Sequence, residues 1–152
     1  MNYLAIEKTS VSNGTGIRCV LWVSGCHHKC KGCHNQLSWD FNAGKIFGQE
    51  EIEYIINYLQ DDKVSGITFS GGDPLAPENI DCICKIAKTI KNKFGNTKTI
   101  WCYTGYVFDD IKNKEIMNYI DIVVDGEYVE AEKDLSLAFR GSKNQNIIKV
   151  KR

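Results

Sequence analysis

The sequence of 152 residues predicts a single α/β domain, residues 1–152, built mainly from parallel strands. Two observations lead there. Short apolar stretches rich in β-branched and aromatic residues alternate with longer segments whose apolar residues recur at helical spacing. Each strand-like stretch runs into a polar or glycine-rich turn. This rhythm is that of βαβ units with right-handed crossovers. A complete eight-fold barrel takes about 250 residues, so any barrel this chain forms is partial.

The first core strand is Ile17-Arg18-Cys19-Val20-Leu21-Trp22-Val23, a mostly apolar run that ends at Ser24-Gly25. From Gln49 onward, Ile52, Ile55, Ile56 and Leu59 fall at helical spacing, and Glu50 and Glu51 suit the positive N-terminal end of that helix. The helix stops near Asp61-Asp62-Lys63. Gly66-Ile67-Thr68-Phe69 is the second strand and leads into Ser70-Gly71-Gly72-Asp73-Pro74, a break that no regular element tolerates. Ile80, Ile83, Cys84, Ala87 and Ile90 mark a second helix. Thr99-Ile100-Trp101-Cys102-Tyr103 is a third strand, closed by Thr104-Gly105. A less regular helical stretch over 107–120 precedes Ile122-Val123-Val124, which ends at Asp125-Gly126. Ligands of parallel α/β folds bind at the carboxyl ends of the strands, so these turns are expected to face one cleft. No internal repeat, low-complexity segment or interdomain linker interrupts the pattern.

Composition excludes some functions. Lysine plus arginine number 19, as do aspartate plus glutamate, which leaves no general attraction to nucleic acid or to an anionic membrane. The N-terminus lacks the basic segment and apolar run of a signal peptide, and no apolar stretch is long enough to span a bilayer. A cytoplasmic protein is expected. Seven cysteines in a reducing compartment point to clusters or metals before disulfides. Cys19 and Cys102 lie in apolar runs and Cys82 and Cys84 in a helical segment, where free cysteines act as small hydrophobes.

The other three cysteines carry the chemistry. In Ser24-Gly25-Cys26-His27-His28-Lys29-Cys30-Lys31-Gly32-Cys33-His34, three and then two residues separate the thiols. That spacing brings three thiolates within reach of one metal centre. A cubane iron–sulfur cluster has four irons, so three cysteines leave one of them open to a substrate. The same spacing also suits a closed, tetrahedral zinc site of the Cys3His kind, completed by His34, His27 or His28. The break at 70–74 offers bare backbone with a carboxylate beside it, suited to an ammonium group, and is equally an ordinary βα turn.

The spacing of Cys26, Cys30 and Cys33 resembles the CxxxCxxC loop of the radical S-adenosylmethionine superfamily, and Gly71-Gly72-Asp73-Pro74 resembles its GGEP-type motif, with aspartate in place of glutamate. The resemblance implies a partial (βα) barrel with the cluster loop after the first core strand. It implies a [4Fe-4S] cluster on Cys26, Cys30 and Cys33, whose open iron takes S-adenosyl-L-methionine. Gly71, Gly72 and Asp73 then meet the methionine part of that cofactor, while Gly32, Cys33 and His34 lie near its adenosyl part. No catalytic residue beyond these ligands is implied, because the hard chemistry belongs to the cofactors. Many members carry an aromatic residue just before the third cysteine, where this chain has Gly32.

Further blocks narrow the resemblance to the glycyl-radical activating enzymes, especially those that serve anaerobic ribonucleoside-triphosphate reductases. They are Asn13-Gly14-Thr15-Gly16-Ile17-Arg18, Gly32-Cys33-His34-Asn35, Trp101-Cys102-Tyr103-Thr104-Gly105-Tyr106, Asp125-Gly126-Glu127-Tyr128 and Arg140-Gly141-Ser142-Lys143-Asn144-Gln145. The resemblance implies an oxidoreductase whose substrate is a glycine near the C-terminus of the reductase large subunit, supplied by a low-potential electron donor. A chain this short has no extra domain to enclose a small molecule, so the partner would supply the missing wall. Activation of another glycyl-radical enzyme, such as pyruvate formate-lyase, is the nearest alternative reading. A zinc-stabilised binding module without catalysis is the alternative from another class.

Overall fold

The computed structural model describes residues 1–151. In chain order its strands are β1 (Asn2–Ser10), β2 (Ile17–Val23), β3 (Lys45–Ile46), β4 (Val64–Gly71), β5 (Thr99–Tyr103), β6 (Ile122–Asp125) and β7 (Asn146–Lys149). The helices are α1 (Gln49–Leu59), α2 (Ile80–Phe94) and the single turn α3 (Phe108–Ile111). One sheet takes in all seven strands, in the order β3-β1-β2-β4-β5-β6-β7.

The four strands read from the sequence are the parallel centre of this sheet, β2 beside β4, β4 beside β5 and β5 beside β6. Parallel strands are covered on both faces, and for that reason they appear in sequence as nearly continuous apolar runs. The edges differ from expectation. β1 pairs antiparallel with β2 and β3, and β7 pairs antiparallel with β6, so the sheet is mixed and open. β1 carries Glu7 and Lys8 at exposed positions, and three of the four residues of β7 are exposed, so neither strand presents the apolar run of a buried one. The expected helix over 107–120 is also broken. α3 gives way to a 3-10 turn at Glu115–Asn118, although Ile111, Ile116, Met117 and Ile120 are still buried.

Alternate residues of the central strands divide the molecule into two layers. Cys19, Leu21, Val23, Ile67, Phe69, Ile100, Cys102 and Val123 pack with Ile55 and Leu59 of α1, Ile83, Ile86 and Ile90 of α2, and Ile111. All crossovers thus lie on one face, as expected when parallel strands follow one another in order with right-handed connections. Each fully buried aliphatic side chain contributes about 1.5–3 kcal/mol, so this layer holds the sheet to its helices.

On the opposite face Arg18 is completely buried. Its Nε donates to Thr68 Oγ1 at 2.8 Å, Nη1 to Thr99 Oγ1 and the carbonyl of Thr15, and Nη2 to the carbonyls of Ile67 and Thr99, both at 2.8 Å. Five donors thus meet five acceptors, which is how a buried guanidinium escapes the cost of unpaired polar groups. Burial lowers its pKa to about 10, so it remains charged at neutral pH. The Trp101 ring lies 5.6 Å from the guanidinium and edge-on to Phe139 at 5.4 Å. Tyr103 donates its hydroxyl to the carbonyl of Phe139, which draws the C-terminal segment over this face. Among the described residues no helix is long and apolar enough to cross a membrane.

Candidate cofactor site

The chain leaves β2 through Ser24 and Gly25. Gly25 has φ +101°, and a Cβ there would fall 1.9 Å from the Phe41 ring, so only glycine lets the loop turn beneath that ring. The segment after the loop returns beside it, with Gly25 N donating to Ser38 O at 2.6 Å and Cys26 N to Trp39 O at 3.2 Å. Between these anchors the loop bends at Lys29, φ +50°, and at Gly32, φ +77°, and Cys33 N closes a turn onto Cys30 O at 3.1 Å.

Cys26, Cys30 and Cys33 all line one cavity of about 180 Å³, together with Gly71, Gly72, Asp73, Thr104, Gly105 and Gly126. The lining comes from the carboxyl ends of β2, β4, β5 and β6, so the expected common cleft is present. A larger opening of about 670 Å³ adjoins it along 28–31 and 127–131, and both include His28, Cys30, Glu127 and Tyr128. Gly32 and His34 lie on the neighbouring turn, outside both linings. A Cβ on Gly32 would stand 2.9 Å from the Glu130 carboxyl carbon, and the left-handed backbone there disfavours any side chain. The His34 ring packs against Tyr128 at 5.5 Å.

The glycines of the 70–74 break do more than bare the backbone. A Cβ on Gly72 would lie 2.3 Å from the Gly25 carbonyl oxygen, and one on Gly71, at φ +106°, would lie 2.5 Å from the backbone of Val23. Gly72 N donates to Val23 O at 2.8 Å and Asp73 N to Gly25 O at 2.7 Å. The two turns are therefore clasped backbone to backbone.

The Asp73 side chain is buried and fully engaged. Its carboxylate accepts from Leu75 N, from Gly105 N, from the Thr104 hydroxyl and from His28 Nε2 at 2.7 Å. Hydrogen bonding to Asp73 is the main reason that the pKa of His28 is raised. Asp73 thus joins the loop after β2 to the turns after β4 and β5. Thr104 and Gly105 could be placed at the cleft from their turn signal, but nothing in the sequence pairs them with Asp73.

The donor set suits an iron–sulfur cluster. None of the three cysteines is in a disulfide, and all three are partly buried and open to the same space. Burial raises the pKa of Cys26, and burial together with the Glu127 carboxylate pushes Cys30 up to about 11, so metal binding must release protons. The indole Nε1 of Trp39, another lining residue, is buried without an acceptor in the protein, which leaves a donor for a bound group. Among the described residues no three His, Cys, Asp or Glu side chains, the three cysteines included, already stand close enough together to hold a metal ion. Each histidine has a partner elsewhere: His27 pairs with Glu78 at 2.6 Å, His28 with Asp73, and His34 with Tyr128.

Residues 12–148 match the family model described as a 4Fe-4S single cluster domain. The chain is 43% identical over 155 residues to the anaerobic ribonucleoside-triphosphate reductase-activating protein of Haemophilus influenzae, with 99% of each chain covered. It is 40% identical to the protein of that name from Enterobacteria phage T4, covering 97% of this chain and 93% of the relative. Against the one from Escherichia coli strain K12 the identity is 41%, over 95% and 96%. With its three cysteines on one cavity and these relatives matched nearly end to end, the chain belongs to the 4Fe-4S family of anaerobic ribonucleoside-triphosphate reductase-activating proteins.

Proposed function

We propose that this protein activates an anaerobic ribonucleoside-triphosphate reductase by generating a glycyl radical on its large subunit. The observation that carries the reading is the opening of Cys26, Cys30 and Cys33 onto one cavity with the 71–73 turn, at the carboxyl ends of four parallel strands. A [4Fe-4S] cluster with one open iron would supply the electron that cleaves S-adenosyl-L-methionine to methionine and a 5'-deoxyadenosyl radical. The chain's own work is to bind, orient and exclude.

Cys26, Cys30 and Cys33 are the metal ligands in this reading. The backbone of Gly71, Gly72 and Asp73 receives the amino end of the methionine part, and the Asp73 carboxylate holds that turn in place through its four internal donors. Gly32, Cys33 and His34 flank the adenosyl part, beside the larger opening along 127–131. The parallel centre, with its crossovers on one face, is in keeping with a partial barrel of the radical S-adenosylmethionine type, and a low-potential electron donor completes the system.

The reductase would close the open side and keep water from the radical. Leu37, Val107, Val129 and Leu135 support this docking. They are exposed by 84, 54, 37 and 88% and follow β2, β5 and β6 in the chain, and Val129 lines the larger opening. Exposed apolar side chains of this size suit a protein partner. Free cysteines throughout the chain suit action in the cytoplasm.

The test is anaerobic: load the protein with iron and sulfide, reduce it, add S-adenosyl-L-methionine, and assay 5'-deoxyadenosine with and without the reductase large subunit. Product together with a glycyl-radical signal on the partner is expected. Product without that signal overturns the assigned substrate, and a colourless protein with one tightly bound zinc overturns the reaction class.

A further inference from the structure

Each of the three histidines around the cysteines invites a metal role, but the structure separates them sharply. His27 is half exposed and ends on the exposed Glu78, whereas the His28 side chain is only 13% exposed and ends on a carboxylate that is 2% exposed. His28 lies between the first two cysteines, next to Lys29, whose φ of +50° is a left-handed conformation that non-glycine residues seldom adopt. A loop held in that shape needs an anchor outside itself.

His28 has the fittings of such an anchor. Nε2 stands 2.7 Å from Asp73 Oδ2, and Nδ1 faces the Glu127 carboxylate at 3.8 Å. The ring meets Tyr106 edge to face at 4.6 Å. Its seat exists only because residue 105 is glycine, since a Cβ there would lie 2.5 Å from His28 Cδ2. Asp73 also accepts from Thr104, Gly105 and Leu75, so the imidazole binds an acceptor already held by three other donors.

We propose that His28 is a positioning residue for the three cysteines. Its bond to Asp73 pins the 26–33 loop against the turns after β4 and β5, so that the thiols face the same cavity as the 71–73 backbone. Groups bonded directly to metal ligands commonly change metal affinity by about 10–100-fold when removed, and His28 acts one step further out, through the loop it anchors. The proposal rests on the reading that these cysteines hold the cluster, although its effect on loop order can be measured without metal.

The test compares the full-length wild type with His28→Gln, His28→Ala and the neighbouring control His27→Ala. In metal-free protein, the rate at which a maleimide labels Cys26 and Cys30 is read by mass spectrometry. In reconstituted protein, the rate of iron loss to a chelator and the change in the reduced-cluster resonance spectrum on adding S-adenosyl-L-methionine are recorded. His28→Ala is expected to raise labelling about fivefold or more, speed iron loss by about tenfold and blunt the spectral change. Gln, which keeps a donor, should restore much of each, and His27→Ala should match wild type. Labelling and spectra unchanged in His28→Ala overturn the proposal. Equal effects in both histidine-to-alanine variants, or no rescue by Gln, overturn it as well. If wild type binds no cluster, the reading of the site fails separately, and the labelling rates still decide whether His28 orders the loop.

Discussion

The amide of Asp73 donates to the carbonyl of Gly25 at 2.7 Å, which ties the turn after β4 directly to the first residues of the cysteine loop. The two segments lie far apart in the chain, yet they share one backbone seam. Each can be aligned on a bound cofactor only together with the other.

Gly72→Ala should break that seam. Its new methyl would stand 2.3 Å from the Gly25 carbonyl oxygen, a backbone atom that cannot swing away. Overpacking of this kind costs about 1–3 kcal/mol. A fall of several degrees in the thermal midpoint is expected, with reduced iron uptake by the protein that remains folded. Unchanged uptake and an unchanged midpoint would show that the seam is loose.

Cys30→Ala should lose the cluster and with it all cleavage of S-adenosyl-L-methionine, whereas Cys84→Ala, on α2 and outside the cavity, should retain both. Iron and sulfide counts, together with the brown absorbance, decide this. Retained cleavage in Cys30→Ala would sink the ligand set.

Arg18→Lys should be costly although the charge is kept. An ammonium has three donors where the guanidinium uses five, so buried carbonyls among Thr15, Ile67 and Thr99 are left unpaired. A loss of about 3 kcal/mol is expected by denaturant unfolding. Arg18 sits near the start of β2, and a strand rises about 3.3 Å per residue, so iron content per folded molecule should be unchanged.

The strands of the parallel centre were legible because each is covered on both faces and therefore needs an apolar run whatever its neighbours are. β1 and β7 were not, since β7 closes one side of the sheet and β3 covers β1 only at Asn2 and Tyr3, so both can carry exposed residues such as Glu7, Lys8 and Lys149 without penalty. The stretch 107–120 shows the converse. Its apolar residues are buried as their spacing suggests, but through a short helix and a 3-10 turn instead of one continuous helix.

The site divides along the same line. The cysteine spacing is local, eight residues from Cys26 to Cys33, so the sequence alone determined that three thiols could share one centre. The glycines at 71 and 72 were legible as bare backbone, but only the tertiary structure decided that the Gly25 carbonyl and Val23 fill the space beside them. It alone likewise decided that the Asp73 carboxylate is occupied by His28, Thr104 and Gly105, which stand 45, 31 and 32 residues away. The physical reason is that ligand spacing within a loop is set by covalent geometry, whereas the partner of a buried carboxylate is set by which turns the crossovers bring to the same end of the sheet.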